Sequence, residues 1–162
     1  MKSFIKLIKK MFGISSGQKS PLDEAKSYNE TGKEYYEQGD YAHALEYLQK
    51  ALEINEKVLG ADHPDTAASY GNIGNVYSDL GDYVRALEYY KKALAIQKRA
   101  LGTYHPATAT SYNNIGDVYF DLGNNAKALE YYKKALAIYK QVLGADHPYT
   151  QQVKNAIELL QK

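Results

Sequence analysis

The chain has 162 residues, enough for one ordinary domain, and 44 % of them are apolar, so a sizeable core is available. It has no cysteine, which excludes disulfides and cysteine-based zinc sites and fits a reducing, cytoplasmic setting. The net charge is only +1, yet residues 1–20 hold five lysines and no acid; the remaining 15 basic and 19 acidic groups give a mildly acidic body unsuited to nucleic-acid backbones.

Residues 1–12 read as a basic amphipathic helix. Phe4, Ile5, Ile8, Met11 and Phe12 share one helical face, while Lys2, Lys6, Lys9 and Lys10 lie mostly elsewhere. Such a segment can lie on an anionic membrane surface. It can equally dock on the following domain, engage another copy as a homo-oligomer contact, or stay disordered. Lys6, Lys9 and Lys10 interrupt what a secretory leader would keep uncharged. No apolar run reaches the roughly 18 residues that span a bilayer. A Gly/Ser-rich stretch from Gly13 to Ser20 then links residues 1–20 flexibly to a domain over 21–162.

From residue 23 the sequence repeats. His-Pro recurs at 63–64, 105–106 and 147–148, and Leu-Gly at 59–60, 101–102 and 143–144, each series stepping by 42. Residues 65–106 and 107–148 share 28 of 42 positions, and residues 23–64 follow the same pattern more loosely. Within a unit, Tyr70, Ile73, Gly74 and Tyr77 fall on one helical face. Gly81-Asp82 predicts a turn. Ala86, Leu87, Tyr90, Ala93 and Leu94 mark a second helix, which Gly102 ends as a residue able to take positive φ. Pro106 suits the first turn of the next helix, where its missing N–H is harmless. Each unit therefore reads helix, turn, helix, loop, and no stretch alternates like a strand. Gly32, Gly74 and Gly116 fall mid-helix at a cost of about 1 kcal/mol each relative to Ala. Recurrence of that cost predicts a close contact, expected against the small residues Ala44, Ala86, Ala128, Ala51, Ala93 and Ala135 of the partner helix.

Tyr70-x-x-Ile73-Gly74-x-x-Tyr77 followed by Ala86, Tyr90 and Ala93 resembles the tetratricopeptide repeat family. The other units carry Tyr28, Thr31-Gly32, Tyr35, Ala44, Leu48, Ala51 and Tyr112, Ile115-Gly116, Tyr119, Ala128, Tyr132, Ala135. The family period is about 34. The longer period here, with Leu-Gly-x-x-His-Pro between units, is similar to the kinesin-light-chain type. The resemblance implies an all-α fold: an α-solenoid of three helical hairpins (about 23–64, 65–106 and 107–148) in a right-handed superhelix. Residues 149–161 are expected to form a C-terminal capping helix, because Lys154 and Glu158 replace the repeat's aromatic and Gly.

The resemblance also implies a function, binding of a protein or peptide ligand in a concave groove, and the residues for it. By position these are Asn29, Lys33 and Tyr36 in the first unit, Asn72, Asn75 and Asp79 in the second, and Asn113, Asn114, Asp117, Phe120 and Asp121 in the third. Asn is a poor helix former in helix interiors, and its amide can both donate to and accept from a peptide backbone. Tyr36 and Phe120 are the expected apolar anchors. Asn29, Lys33 and Asn72 fit part of the family's carboxylate-binding grooves, but Thr110 and Asn114 lack the basic part. Lys26 and Lys33 against Asp79, Asp117 and Asp121 suggest a groove basic at one end and acidic at the other, suited to a ligand of mixed charge.

No Ser-His-Asp order, Gly-rich phosphate loop or HExxH motif occurs, so no catalytic residue, cofactor or metal is expected. His63, His105 and His147 are spread along the stack without zinc spacing, and are read as loop or N-cap residues beside Pro. Self-assembly of the units is the second function class that the sequence leaves open.

Overall fold

The structure is a computed structural model that describes residues 7, 8, 10, 11, 13 and 19–162. Phe4, Ile5, Lys6, Lys9 and Phe12 lie outside the described residues. Of the expected N-terminal helical face, Ile8 is only 4 % exposed. Leu7, Lys10 and Met11 are exposed.

From residue 21 the described chain is helical: α1 (Pro21–Glu37), α2 (Tyr41–Leu59), α3 (Pro64–Asp79), α4 (Tyr83–Ala100), α5 (Pro106–Asp121), α6 (Asn125–Val142) and α7 (Pro148–Leu160). Each start is fixed by a side chain that accepts an otherwise orphaned backbone N–H. Ser20 and Asp23 form a reciprocal capping box at α1. Asp40, Asp82 and Asn124 cap α2, α4 and α6. His63, His105 and His147 cap α3, α5 and α7, each Nδ1 accepting from the backbone N–H two residues on at 3.1, 3.1 and 3.3 Å. Capping is thus the role of the loop histidines. The backbone turns between the helices of a hairpin at Gly81 (φ 74°) and after it at Gly102 (φ 92°), conformations that disfavour any side chain.

The loops between hairpins are closed by a residue that composition alone hides. Thr66, Thr108 and Thr150 are fully buried, and their hydroxyls donate to the carbonyls of Gly60, Gly102 and Gly144 at 2.8, 3.0 and 2.8 Å. A second set of buried polar pairs ties neighbouring hairpins together. Asn55 donates to Ser69 at 3.0 Å, and Ser111 donates to Gln97 at 2.7 Å. At the last junction Tyr139 and Val153 stand in the same places, and Tyr139 bonds instead with Thr110 at 2.8 Å.

Helices pair as α1–α2, α3–α4 and α5–α6, and α2–α3, α4–α5 and α6–α7 join the pairs in sequence. This is an α-solenoid, with Leu48, Ile73, Val76, Ile115, Val118 and Val153 fully enclosed between its helices. The glycine contact differs from the expectation. A Cβ on Gly74 would stand 2.7 Å from the Tyr90 ring, one on Gly116 2.6 Å from the Tyr132 ring, and one on Gly32 2.7 Å from Leu48. Each glycine is therefore a notch for a large side chain, not one side of a small-on-small contact. The rotation of one helix about its own axis decides this, and that rotation is not visible in the spacing of either helix. The alanines are nevertheless fully buried. On α7, Glu158 stands where Gly116 would, and it pairs with Lys154 at 3.8 Å. The face that receives a second helix in the earlier units here carries this charged pair.

Candidate ligand groove on the inner helices

Successive first helices approach closely enough for direct side-chain hydrogen bonds. Asn72 donates to Asn29 at 2.8 Å, Tyr36 donates to Asp79 at 2.6 Å, and Asn114 reaches Asn75 at 3.4 Å. These bonds place α1, α3 and α5 on the inner, shorter side of the stack. They join six of the eleven expected residues, Asn29, Tyr36, Asn72, Asn75, Asp79 and Asn114. Within α5, Asn113 donates to Asp117 at 2.9 Å. Lys33 and Tyr36 share a cleft of about 160 Å³ with Glu37, Leu48, Asn72 and Asn75. Asp121 is exposed, and Phe120 shows 44 % of its surface to solvent.

The floor of the row holds two groups that sequence reasoning read as packing alone. Tyr90 donates to Asn75 at 2.8 Å, and Tyr132 donates to Asp117 at 2.7 Å. Burial, first, pushes both phenols well above their ordinary range, so both stay protonated donors. A signal for these pairs exists in the repeat. The acceptors Asn75 and Asp117 each precede a Tyr by 15 residues, whereas the first unit has Lys33 before Leu48. Where the hydroxyl is missing, so is its acceptor. The first unit is therefore mixed in charge, Lys33 sharing its cleft with Glu37, and is not the basic end that was expected.

Asp117 still reaches solvent, yet its carboxyl is raised above the ordinary value. Partial burial is the main cause; the Tyr132 bond opposes it and the Asp121 charge adds to it. A carboxyl raised on folding binds its proton more tightly in the native state. Stability is then lost as pH rises from the unfolded value of 3.8 through the folded one. Asp117→Asn, which copies Asn75, is accordingly expected to raise the melting temperature at pH 7. The gain should shrink as pH falls through the Asp117 pKa, in melts of both chains between about pH 3 and 8. A gain of equal size across that range would remove the charge as its cause.

A wider recess of about 580 Å³ adjoins Asn29, lined by Leu22, Ala25, Leu59 and Ala68 around the Asn55–Ser69 pair. Its counterpart between the third hairpin and α7 measures only about 200 Å³, because Tyr139 and Tyr149 stand where Asn55 and Asp65 do. Among the described residues no group of three or more His, Asp or Glu side chains could hold a metal ion. No described helix is long and apolar enough to cross a membrane.

A three-hairpin stack with a continuous inner row defines a helical-repeat protein, and comparison with known proteins narrows the class. The family model described as tetratricopeptide repeat matches residues 23–99, 72–141 and 107–161. The chain belongs to the tetratricopeptide repeat family. Among solved structures it is similar to BtubC (BKLC) from P. vanneervenii, with a TM-score of 0.81 at 21 % identity over 98 % of this chain; it spans 65 % of that one. A kinesin light chain candidate from Podosopora anserina with nearly identical TPR-like repeats gives a TM-score of 0.72 at 23 % identity, covering 98 % of this chain and 76 % of that one. The first TPR of Spaghetti (RPAP3), bound to the HSP90 peptide SRMEEVD, gives 0.64 at 17 % identity, covering 86 % and 92 %. No curated protein matches by sequence.

Proposed function

We propose that the chain is a protein-interaction scaffold that takes a peptide segment of its partner along the inner row of α1, α3 and α5. The observation that carries this reading is the run of inter-helix bonds Asn29–Asn72, Tyr36–Asp79 and Asn75–Asn114, which makes one polar surface from three separate hairpins. An amide that bonds weakly to its neighbour, as at the 3.4 Å Asn75–Asn114 contact, can exchange it for a peptide group at little cost. Phe120 offers exposed apolar area on α5, and the recess next to Asn29 offers room for a side chain. The Spaghetti domain, similar in fold, is a tetratricopeptide domain bound to a peptide, which supports the reading.

The test is an affinity capture with the full chain and with Asn72→Ala/Asn114→Ala. Both positions are half-exposed, so the fold should survive, as circular dichroism can verify. Loss of two amide contacts of about 1 kcal/mol each should weaken the captured partner by about tenfold or more. An unchanged affinity would remove the groove from the binding surface.

A further inference from the structure

Charge on this molecule is segregated by face. The inner helices α3 and α5 carry Asp65, Asp79, Asp117 and Asp121 and no Lys or Arg. The outer helices α4 and α6 carry nine Lys and Arg residues and only Glu88 and Glu130. The outer excess is open to solvent: Lys91, Lys98, Lys133 and Lys140 are exposed and take part in no ion pair among the described residues. At the corresponding places of α2 stand Gln49 and Glu56, so the basic outer surface begins at the second hairpin, where the inner surface loses its lysines.

From this we infer that the groove selects a cationic peptide, with Lys or Arg side chains set against Asp79, Asp117 and Asp121 and an adjacent large apolar side chain against Phe120. The inference rests on the groove reading above and names the chemistry of its ligand. Three observations support it. An anionic segment meets carboxylates along the inner row of the second and third hairpins and would be drawn to the outer helices instead. A cationic segment is repelled from the outer helices and steered inward. The Asp121 charge helps to raise the Asp117 carboxyl, and a cation bound between the two carboxylates would offset that repulsion. The half-open ring of Phe120 lies between them in sequence and gives the ligand's apolar residue a place beside its charge.

The test uses two fluorescein-labelled synthetic peptides of equal length, one alternating Lys with Phe and Leu, the other with Glu in place of every Lys. Fluorescence anisotropy against the full chain at about 0.15 M salt, where screening sets in beyond about 8 Å, reads their relative affinity. The Lys peptide is expected to bind about tenfold tighter or more, the equivalent of several exposed charge pairs. Asp79→Asn/Asp117→Asn/Asp121→Asn should bring the preference close to one, while Lys91→Glu/Lys133→Glu on the outer helices should leave Lys-peptide binding in the groove intact. Equal or tighter binding of the Glu peptide overturns the inference, and so does a Lys preference that survives the triple Asn variant. If neither peptide binds while a captured partner still responds to Asn72→Ala/Asn114→Ala, cation selection fails and the groove reading stands.

Discussion

Truncation of Tyr132 to Ala is expected to cost the fold about 4 kcal/mol, read as a lower midpoint in urea unfolding followed by circular dichroism. The ring is 3 % exposed and sits in the notch left by Gly116, where an added Cβ would stand 2.6 Å from it. Removing the ring opens a cavity between α5 and α6 and takes the phenol donor from Asp117. Tyr132→Phe keeps the ring and loses only that bond, so it should cost about 1 kcal/mol. The notch makes a sharper demand on the pair. Gly116→Ala gains about 1 kcal/mol in helix propensity. Against the rigid ring it loses about 1–3 kcal/mol by overpacking, a net loss in the intact chain. With Tyr132 already truncated the clash is gone, and the same Gly116→Ala change should stabilise. A double-mutant cycle therefore has a sign change as its expected result. If Gly116→Ala had the same effect with and without the ring, the glycine would be serving some purpose other than seating it.

That pair also marks where the sequence stops being legible. Helical periodicity identified Gly116 as interior and Tyr132 as a packing residue, since each is defined within its own helix. Which of them faces the other depends on how two helices are rotated and offset, and neither pattern contains that. The three glycines were consequently matched to alanines, when Leu48, Tyr90 and Tyr132 fill their notches. The buried Thr and Ser were missed for a different reason. A polar residue in a helix reads as surface by composition, yet Thr66, Thr108 and Thr150 recur at the same step as the histidines. Recurrence, not hydropathy, was the available sign that they are structural. In the groove, the face was legible and the bonding was not. Asn29 and Asn72 are 43 residues apart and Asn75 and Asn114 are 39 apart, so neither pair follows the repeat step. Cross-hairpin contacts arise from the superhelix, which brings non-equivalent positions together.

The second large effect separates an end of the stack from its middle. Val153 is 2 % exposed in α7, and a carboxylate in its place would lie against α6 without a partner, which costs several kcal/mol. Among the described helices α7 packs chiefly on α6, so it can escape that cost by undocking while the hairpins before it remain paired. For Val153→Asp, hydrogen exchange is expected to lose all protection over α7, to weaken over α6, and to stay native over α1 to α4. Val118 is also fully buried, but α5 is held by α4 on one side and α6 on the other. Val118→Asp has no such local escape and should lower protection through the whole array. Equal, global loss in both variants would mean that the stack melts as one unit and that nearest-neighbour coupling is the wrong description. The local outcome carries a functional consequence. Thr110, Asn113 and Asn114 share their recess with Tyr149 and Gln152 of α7. Val153 lines that recess too, so undocking α7 would open it, and under the proposed groove function Val153→Asp should weaken ligand binding at that end.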